Sequence, residues 1–372
     1  MQLWYKISSR RVNRFFALWY SMPMYELSYG DLPNLKISTR MIVKELLDRG
    51  YPVSGFLSSK GLLEVTLPDS PVAMRIYSVI DESMSFISGR IIAGNKQVTN
   101  AIVARLGVTV PDELYVGLTE AETKKQEILD FISKHGTVVV KPVDGAHGKG
   151  VFTGVTEYEQ VVDAVQVITG LTLAAGFIIQ QQLQGIDIRV ICVDGKYASA
   201  MTRVPATVTG DGTRTVEQLI QLENQRSERS GEGYSTLFNK IDMSYVERHL
   251  TPEKLASVPA EGEAVQVIGI SNVGVGGTRK NLDDDIPQFI REASEKVARE
   301  MRLPVCGIDF FVDALPQATD TLEDLHPVVI EVNNCPGLTQ YESFDDPRQL
   351  ELAKKLVDAQ IAAHHQRYAT QS

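Results

Sequence analysis

The segment VVVKPVDGAHGKGV, residues 138–151, decides the fold. Its β-branched residues predict a buried strand over residues 137–141, and residues 151–155 predict a second strand. Between the two strands lie three glycines within six residues, at Gly145, Gly148 and Gly150. Glycines let backbone N–H groups approach and surround an anion, and Lys141 and Lys149 add positive charge. The segment therefore predicts an anion-binding loop between two strands.

This loop differs from the common nucleotide-binding motifs. It joins two strands and does not open a helix, and it matches neither G-x-x-x-x-G-K-[ST] nor G-x-G-x-x-G. A Walker-type site and a dinucleotide site are therefore not predicted. Taken alone, the segment is also compatible with a plain glycine-rich hairpin.

Two later apolar stretches each carry an acid. Asp309 lies within GIDFFV, residues 307–312. Glu331 and Asn333 lie within VVIEVNNCPG, residues 328–337, and share one face of a strand because they are two residues apart. A buried carboxylate is costly unless a cation neutralises it. If the two strands are neighbours, the three side chains converge as oxygen ligands of Mg²⁺ or Mn²⁺. The alternative is a pair of strand-end acids solvated at a sheet edge.

The composition is that of a globular protein. The 372 residues are 43% hydrophobic and 23% charged, which excludes a disordered chain, collagen and a coiled-coil rod. This length predicts two or three domains. The 47 acidic residues outnumber the 37 basic ones, so the formal net charge is −10. Binding to a nucleic acid backbone needs the opposite balance, and no nucleic acid partner is expected.

Several sequence features favour a cytoplasmic protein. The three cysteines form no C-x-x-C pair and are interpreted as reduced thiols. Arginines precede the apolar run of residues 15–20, but no small-x-small cleavage site follows, so a signal peptide is not the preferred interpretation. No stretch approaches the roughly 20 apolar residues of a membrane span, and no membrane association is expected. H-E-x-x-H and G-x-S-x-G are also absent, which disfavours zinc and serine hydrolases.

Local patterns predict an α+β fold. A helix over residues 38–50 and strands over 53–57 and 62–67 make residues 1–93 a small α/β unit. Further helices are predicted over residues 95–106, 120–134, 157–169, 284–301 and 347–365. Further strands are predicted over residues 177–181, 188–193, 196–201, 265–270, 305–312 and 327–332. The polar stretch 205–262 is interpreted as an inserted flap. Helices and strands mix without strict βαβ alternation, which favours α+β over a doubly wound sheet.

Together, the loop and the strand acids resemble the ATP-grasp superfamily of carboxylate–amine ligases, over residues 94–345. The likeness is to the ATP-grasp part of cyanophycin synthetase and to the glutathione-synthetase-like half of the bifunctional glutathione-making enzymes. Three more segments resemble motifs of these enzymes and follow in the same order along the chain: TVTGDGTRTV at residues 207–216, NVGVGGT at 272–278 and EVNNCPGL at 331–338. The resemblance implies the ATP-grasp fold, in which two α+β lobes sandwich a nucleotide. It also implies a pre-ATP-grasp domain at residues 1–93, a small lobe at 94–182 and a large lobe at 183–372 that contains the flap.

The resemblance implies roles for individual residues. The implied nucleotide-binding residues are Lys96, Lys141, Gly145, Gly148, Gly150, Gln180, Gln181, Leu183 and Asp187, with the lysines at phosphates and Asp187 at the ribose. The residues implied near the reacting groups are Arg189, Arg203, Lys149 and His147. The implied metal ligands are Asp309, Glu331 and Asn333. His147 is either a base for the amine or a further phosphate contact.

Two departures from the family pattern concern specificity. Gln180 stands where relatives carry an acid, which alters the contact with the adenine amino group, although an amide oxygen can accept that hydrogen bond. Arg279 and Lys280 follow the loop that begins at Gly274, and their charge suggests an acceptor that is acidic or has a free α-carboxylate. The alternative is that both are solvated loop charges.

The implied activity is ATP-dependent amide formation on an amino acid or a short peptide. A carboxylate attacks the γ-phosphoryl group to give an acylphosphate, and an amine then displaces phosphate. ATP and Mg²⁺ are the implied cofactors, and a homodimer or a higher homo-oligomer is left open. Two rivals stay open as well: a kinase-like phosphotransferase on the same scaffold, and a degenerate regulator that binds nucleotide without turnover.

Overall fold

The computed structural model describes residues 24–56, 59–84, 86–144, 149–171, 175–229, 238–269, 271, 273–341, 343 and 346–368. These residues build four sheets, in which neighbouring strands are antiparallel throughout. The mixture of helices with antiparallel sheets is that of an α+β protein, as predicted. The predictions for Gly145, His147 and Gly148 fall outside the described residues.

Helices and short strands follow one another along the chain. The described helices are α1 (Ile37–Asp48), α2 (Ile87–Ala93), α3 (Lys96–Arg105), α4 (Lys125–His135), α5 (Tyr158–Thr169), α6 (Val216–Glu223), α7 (Met243–His249), α8 (Pro252–Ala256), α9 (Gln288–Glu300), α10 (Leu322–Leu325) and α11 (Pro347–Tyr368). The described strands are β1 (Met24–Glu26), β2 (Val53–Phe56), β3 (Ser59–Val65), β4 (Met74–Tyr77), β5 (Ile80–Asp81), β6 (Glu113–Gly117), β7 (Val138–Pro142), β8 (Phe152–Val155), β9 (Gly176–Gln181), β10 (Ile186–Val193), β11 (Lys196–Val204), β12 (Thr207–Thr209), β13 (Ala264–Gln266), β14 (Thr278–Asn281), β15 (Val305–Val312) and β16 (Val328–Asn333).

The first sheet has the order β1-β2-β3-β4-β5 and carries helix α1 on its apolar face. Met41, Ile42 and Leu46 of α1 are buried there, at the spacing of one helical face. Helix α11, from the other end of the chain, contributes Leu356 and Val357 to the same core. The predicted helix over residues 38–50 is confirmed. Strands β4 and β5, of four and two residues, were not predicted.

The second sheet has the order β6-β9-β7-β8 and lies under helices α4 and α5. The two strands predicted around the glycine-rich loop are confirmed as the β7–β8 pair. Strand β6 was not predicted, and the helix predicted over residues 120–134 begins later than expected, with α4 starting at Lys125. Residues 121–124 form turns before it, and they include Lys124, whose backbone is not helical.

The third sheet has the order β14-β11-β10-β15-β16. It carries most of the charged residues that were predicted to form the site. One face is covered by α9 and α3 and is mainly apolar, with Ile188, Val190 and Ile308 at its centre. Cys192 and Cys306 face each other across β10 and β15 in this core, as free thiols. The opposite face carries the charged side chains that the sequence analysis singled out.

A small unit lies between β11 and β14 in the sequence. The β12–β13 pair and helices α6, α7 and α8 enclose an apolar core of their own, which spans residues 206–268. The strand predicted over residues 265–270 is confirmed only in its first part: β13 ends at Gln266, residues 267–269 are not in a strand, and residue 270 lies outside the described residues. The Gln266 side chain donates to the Ile268 carbonyl at 3.0 Å. Among the residues that the structure describes, no helix has the length and apolar character needed to span a membrane.

Candidate functional site

Helix α3 contacts both the second and the third sheet. Its first residue, Lys96, follows the N-cap Asn95, whose side chain accepts a hydrogen bond from the backbone of Val98 at 3.0 Å. The Lys96 backbone N–H donates to the Val143 carbonyl just beyond β7, at 3.0 Å. Its Nζ lies 3.8 Å from Glu331 Oε1 on β16. Capping therefore fixes Lys96 between the two sheets, with its charge directed at the predicted acid.

The strand acids converge as the sequence analysis expected. β15 and β16 are neighbours, and Asp309 lies directly opposite Glu331. Asn333 lies opposite Gly307, two residues further along the same face. A side chain on Gly307 would approach Pro336 to 3.0 Å, so the close passage of the chain after β16 favours glycine here. Two carboxylates and one amide thus project from one patch of the third sheet.

Two arginines hold Asp309, which is only 2% exposed. Arg189 donates from Nε and Nη2 to its two oxygens, each at 2.6 Å. Arg203 donates from Nη2 to Asp309 at 2.9 Å and to Asp187 at 2.7 Å. Paired strands place these groups side by side, because Arg189 is opposite Asp309 and β11 flanks β10. The floor of the site is therefore an ion-pair network of Asp187, Asp309, Arg189 and Arg203.

Burial and charge act in opposite directions on the two aspartates. Burial favours the protonated form of Asp309, but Arg189 and Arg203 outweigh it and hold its pKa below the usual value. Burial raises the pKa of Asp187 to about 6, although Arg203 opposes the shift. Asp309 is thus the firmly ionised member of the network.

The second sheet presents a second polar group to the site. Lys141 Nζ donates to Gln180 Oε1 at 2.8 Å, and both side chains are buried. Burial, followed by the nearby charge of Lys96, lowers the pKa of Lys141 to about 8. Glu113 and Asn100 were not predicted as part of the site. Glu113 accepts hydrogen bonds from the amide groups of both Asn100 and Gln180 and so completes this group. No motif marks either residue, and only the β6–β9 pairing brings Glu113 to Gln180.

The other predicted nucleotide residues lie around the β9–β10 connection and the loop. The Gln181 backbone N–H donates to the Asp112 carbonyl at 2.9 Å at the end of β9, and Leu183 lies in the link to β10. Lys149 is exposed. Gly150 has a φ of +70° and packs on Pro142, so its left-handed backbone requires glycine.

The structure separates Arg279 from Lys280. Both belong to strand β14 and not to a loop, so the alternative of two solvated loop charges is wrong for Arg279, which is 5% exposed. Arg279 lies opposite Arg203 and therefore shares the face of the ion-pair network. It donates to the Thr339 carbonyl at 3.1 Å. Lys280 is exposed on the other face.

The oxygen donors fit a hard divalent cation. Within the described ranges, no three His, Cys, Asp or Glu side chains form a metal cage. Mg²⁺ is commonly held by one or two carboxylates together with substrate phosphates and water, which suits Asp309, Glu331 and the Asn333 amide. Asn333 Nδ2 is buried and has no hydrogen-bond partner among the described residues, and the amide oxygen is the atom that would bind a metal.

Comparisons with known proteins identify the fold. Residues 112–216 match the family model of the prokaryotic glutathione synthetase ATP-grasp domain. The crystal structure of a bifunctional glutathione synthetase from Pasteurella multocida superposes with a TM-score of 0.63 at 22% identity, over 88% of this chain and 44% of that one. The chain therefore has the ATP-grasp fold.

Two named relatives are similar to this chain over most of its length. The chain is 26% identical over 334 residues to the cyanophycin synthetase of Geminocystis herdmanii, covering 88% of this chain and 36% of that protein. It is 24% identical over 326 residues to the glutathione biosynthesis bifunctional protein of Mannheimia succiniciproducens, covering 86% of this chain and 41% of that protein. The resemblance predicted from the motifs is confirmed. The chain spans 36% and 41% of the length of these two relatives.

Proposed function

We propose that the protein is an ATP-dependent carboxylate–amine ligase that acts on an amino acid or a short peptide. The observation that carries the proposal is the position of Lys96 on α3, whose Nζ lies 3.8 Å from Glu331, the residue opposite Asp309 on the third sheet. Cations from both lobes, Lys96, Lys141 and Arg203, line the space where a nucleotide's phosphates meet the acids. In this proposal residues 1–93 act as a substrate domain, 94–182 as the small lobe and 183–372 as the large lobe.

The chemistry divides between charge neutralisation and positioning. Lys96 and Lys141 hold the phosphates of ATP, and Asp187 lies beside the link between the lobes, where the ribose would bind. Mg²⁺ held by Asp309, Glu331 and Asn333 would neutralise further phosphate charge. A substrate carboxylate attacks the γ-phosphoryl group and ADP leaves. The resulting acylphosphate is attacked by an amine, which forms the amide and releases phosphate and a proton.

The arginines supply directed hydrogen bonds to anionic groups. Arg203 lies between Asp187 and Asp309, and the planar guanidinium group matches a carboxylate or a transferring phosphoryl group. Positioning and electrostatic stabilisation contribute most of the catalysis in phosphoryl transfer. Water must be kept from the acylphosphate, and the unit of residues 206–268, which connects the paired strands that carry Arg203 and Arg279, would do so.

The test is a product assay. Amino acids and γ-glutamyl dipeptides are supplied in pairs with ATP and Mg²⁺, and ADP, phosphate and amide are measured together. A ligase forms the three in equal amounts and only when both organic substrates are present. A phosphorylated product without free phosphate would assign the protein to the phosphotransferases, and nucleotide binding without turnover would assign it to the regulators.

Nucleotide binding is expected to weaken as the pH rises through about 8. The pKa of Lys141 is about 8 in the free protein because burial and Lys96 disfavour its charge. A bound phosphate favours the charged form, so binding at pH 9 should take up a proton. Calorimetry of ADP binding in two buffers of different ionisation enthalpy measures this uptake. Lys141→Arg, which stays charged, should abolish it, and equal heats in the two buffers for the wild type would contradict the assignment.

Arg279 and Lys280 are expected to differ in their effect on the acceptor. Arg279 is on the face of Arg203, so Arg279→Met should raise the KM for an acceptor that carries a carboxylate by about tenfold or more, as for a lost charged hydrogen bond. Lys280→Met is the matched control, since this side chain is exposed on the opposite face. Steady-state kinetics with acidic and neutral acceptors decide the question. An unchanged ranking of acceptors in Arg279→Met would remove Arg279 from substrate selection.

A further inference from the structure

Four polar side chains form a chain of hydrogen bonds inside the small lobe. Asn100 Nδ2 donates to Glu113 Oε2 at 2.6 Å, and Gln180 Nε2 approaches the same oxygen at 3.4 Å. On its other side Gln180 Oε1 accepts from Lys141 Nζ at 2.8 Å. Asn100, Gln180 and Lys141 are 3%, 4% and 9% exposed. A carboxylate and an ammonium group are thus connected through one neutral amide.

The charged ends determine how Gln180 is oriented. An ammonium group only donates hydrogen bonds, so it requires the amide oxygen. An ionised carboxylate only accepts, so it requires the amide nitrogen. Gln180 meets both demands in one orientation, and its oxygen is therefore turned toward Lys141. The expectation that this oxygen serves the adenine amino group is not supported by this arrangement.

Strand pairing explains why an amide stands at position 180. Glu113 on β6 lies directly opposite Gln180 on β9, and opposite residues of an antiparallel pair share one face. Two carboxylates at these positions would repel each other in a buried environment. A single carboxylate on this face of the sheet balances the single charge of Lys141. In this chain that carboxylate belongs to Glu113 on β6.

We propose that Glu113 is the acid of the nucleotide pocket, a positioning residue that acts through Gln180 to keep Lys141 charged and oriented toward a nucleotide phosphate. Asn100 anchors Glu113 to α3, the helix that also begins with Lys96. The two lysines of the site are thereby connected through Glu113. This inference rests on the proposed nucleotide binding, and it adds a residue outside the motifs.

A charge exchange between positions 113 and 180 tests the proposal by calorimetry with ADP. Glu113→Gln keeps the shape and removes the charge, and should weaken ADP binding by about tenfold. Glu113→Gln combined with Gln180→Glu returns an acid to the face, and should recover affinity to within about threefold of the wild type. Gln180→Glu alone should bring no gain, because the second carboxylate opposes the first. Glu127→Gln, on the exposed face of α4, is the control.

The rescue separates positioning from support of the fold. If Glu113 only braces α3 through Asn100, an acid at position 180 cannot restore binding. A double variant that binds no better than Glu113→Gln would therefore overturn the proposal, as would normal affinity in Glu113→Gln. Thermal unfolding of each variant verifies that the comparison is made between folded proteins.

A second measurement needs no nucleotide. The Cε resonance of Lys141, assigned with Lys141→Arg, reports the titration of its ammonium group in the free protein. Besides Glu113, the charges that act on this ammonium group are Lys96, which disfavours its charged form, and Glu331, which favours it. With these two unchanged, the titration midpoint should move down by about 0.5 pH in Glu113→Gln and return in the double variant. An unchanged midpoint in Glu113→Gln would overturn the proposal even if the protein binds no ADP. Absence of ADP binding by the wild type, with the expected shift of the midpoint, would instead count against the proposed function alone.

Discussion

Glu331→Gln is expected to lower the rate of ATP-dependent phosphate release by a factor of about one hundred or more, the range for loss of one electrostatic stabiliser in an active site. The glutamine keeps the size of the side chain and removes the charge opposite Asp309 and 3.8 Å from Lys96. The carboxylate is the more open of the two acids, with 36% of its side chain exposed against 2% for Asp309, so it could bind a magnesium ion more easily. Phosphate release at saturating ATP, measured over a range of Mg²⁺ concentrations, gives the result.

The stability of Glu331→Gln should change little, because the ion pair with Lys96 is long and partly exposed. Its loss of activity would then reflect the site and not unfolding. Glu159→Gln, an exposed acid on α5, is the matched control and should keep the wild-type rate. Wild-type turnover in Glu331→Gln, with unchanged Mg²⁺ dependence, would show that this acid is not a metal ligand.

Arg189→Met is expected to lower the free energy of unfolding by about 3 kcal/mol or more, the cost of leaving a buried charge without its partner. Asp309 is 2% exposed and loses two hydrogen bonds of 2.6 Å in this variant, with only Arg203 remaining. Urea denaturation measures the change. Arg189→Met combined with Asp309→Asn should recover part of the loss, since no buried charge is then left unpaired.

An exposed ion pair provides the comparison for Arg189→Met. Arg75 donates to Glu64 at 3.1 Å on the first sheet, with half of its side chain exposed. Arg75→Met should cost less than about 1 kcal/mol, because exposed pairs are screened by solvent. Equal losses in Arg75→Met and Arg189→Met would show that the Asp309 network contributes no special stability to the fold.

Much of the fold follows from local patterns, and the failures have local causes. The helix α1 and the strand pair around the glycine-rich loop carry strong periodic signals, and both are confirmed. The helix predicted over residues 284–301 starts at Gln288 because Pro287 occupies the N-cap position. Strand β6 was missed because five residues, two of them Glu113 and Gly117, carry too weak an alternation to be recognised.

The sequence by itself determined which chemistry is present. Residue type and spacing along one strand are local properties, so the glycine-rich loop, the lysines and the shared face of Glu331 and Asn333 could all be read from it. Side-chain contacts between different strands cannot be read from the sequence in this way. Arg189 and Asp309 are 120 residues apart, and Glu113 and Gln180 are 67 apart, and no local pattern encodes either contact.

Only the tertiary structure decided which charges oppose each other. Strand register places Arg203 between two aspartates and turns Arg279 inward while Lys280 faces solvent. It also places Glu113 directly opposite Gln180. The physical reason is that a buried charge is tolerated only beside its partner, and the partner is supplied by whichever strand the packing of the apolar cores brings alongside.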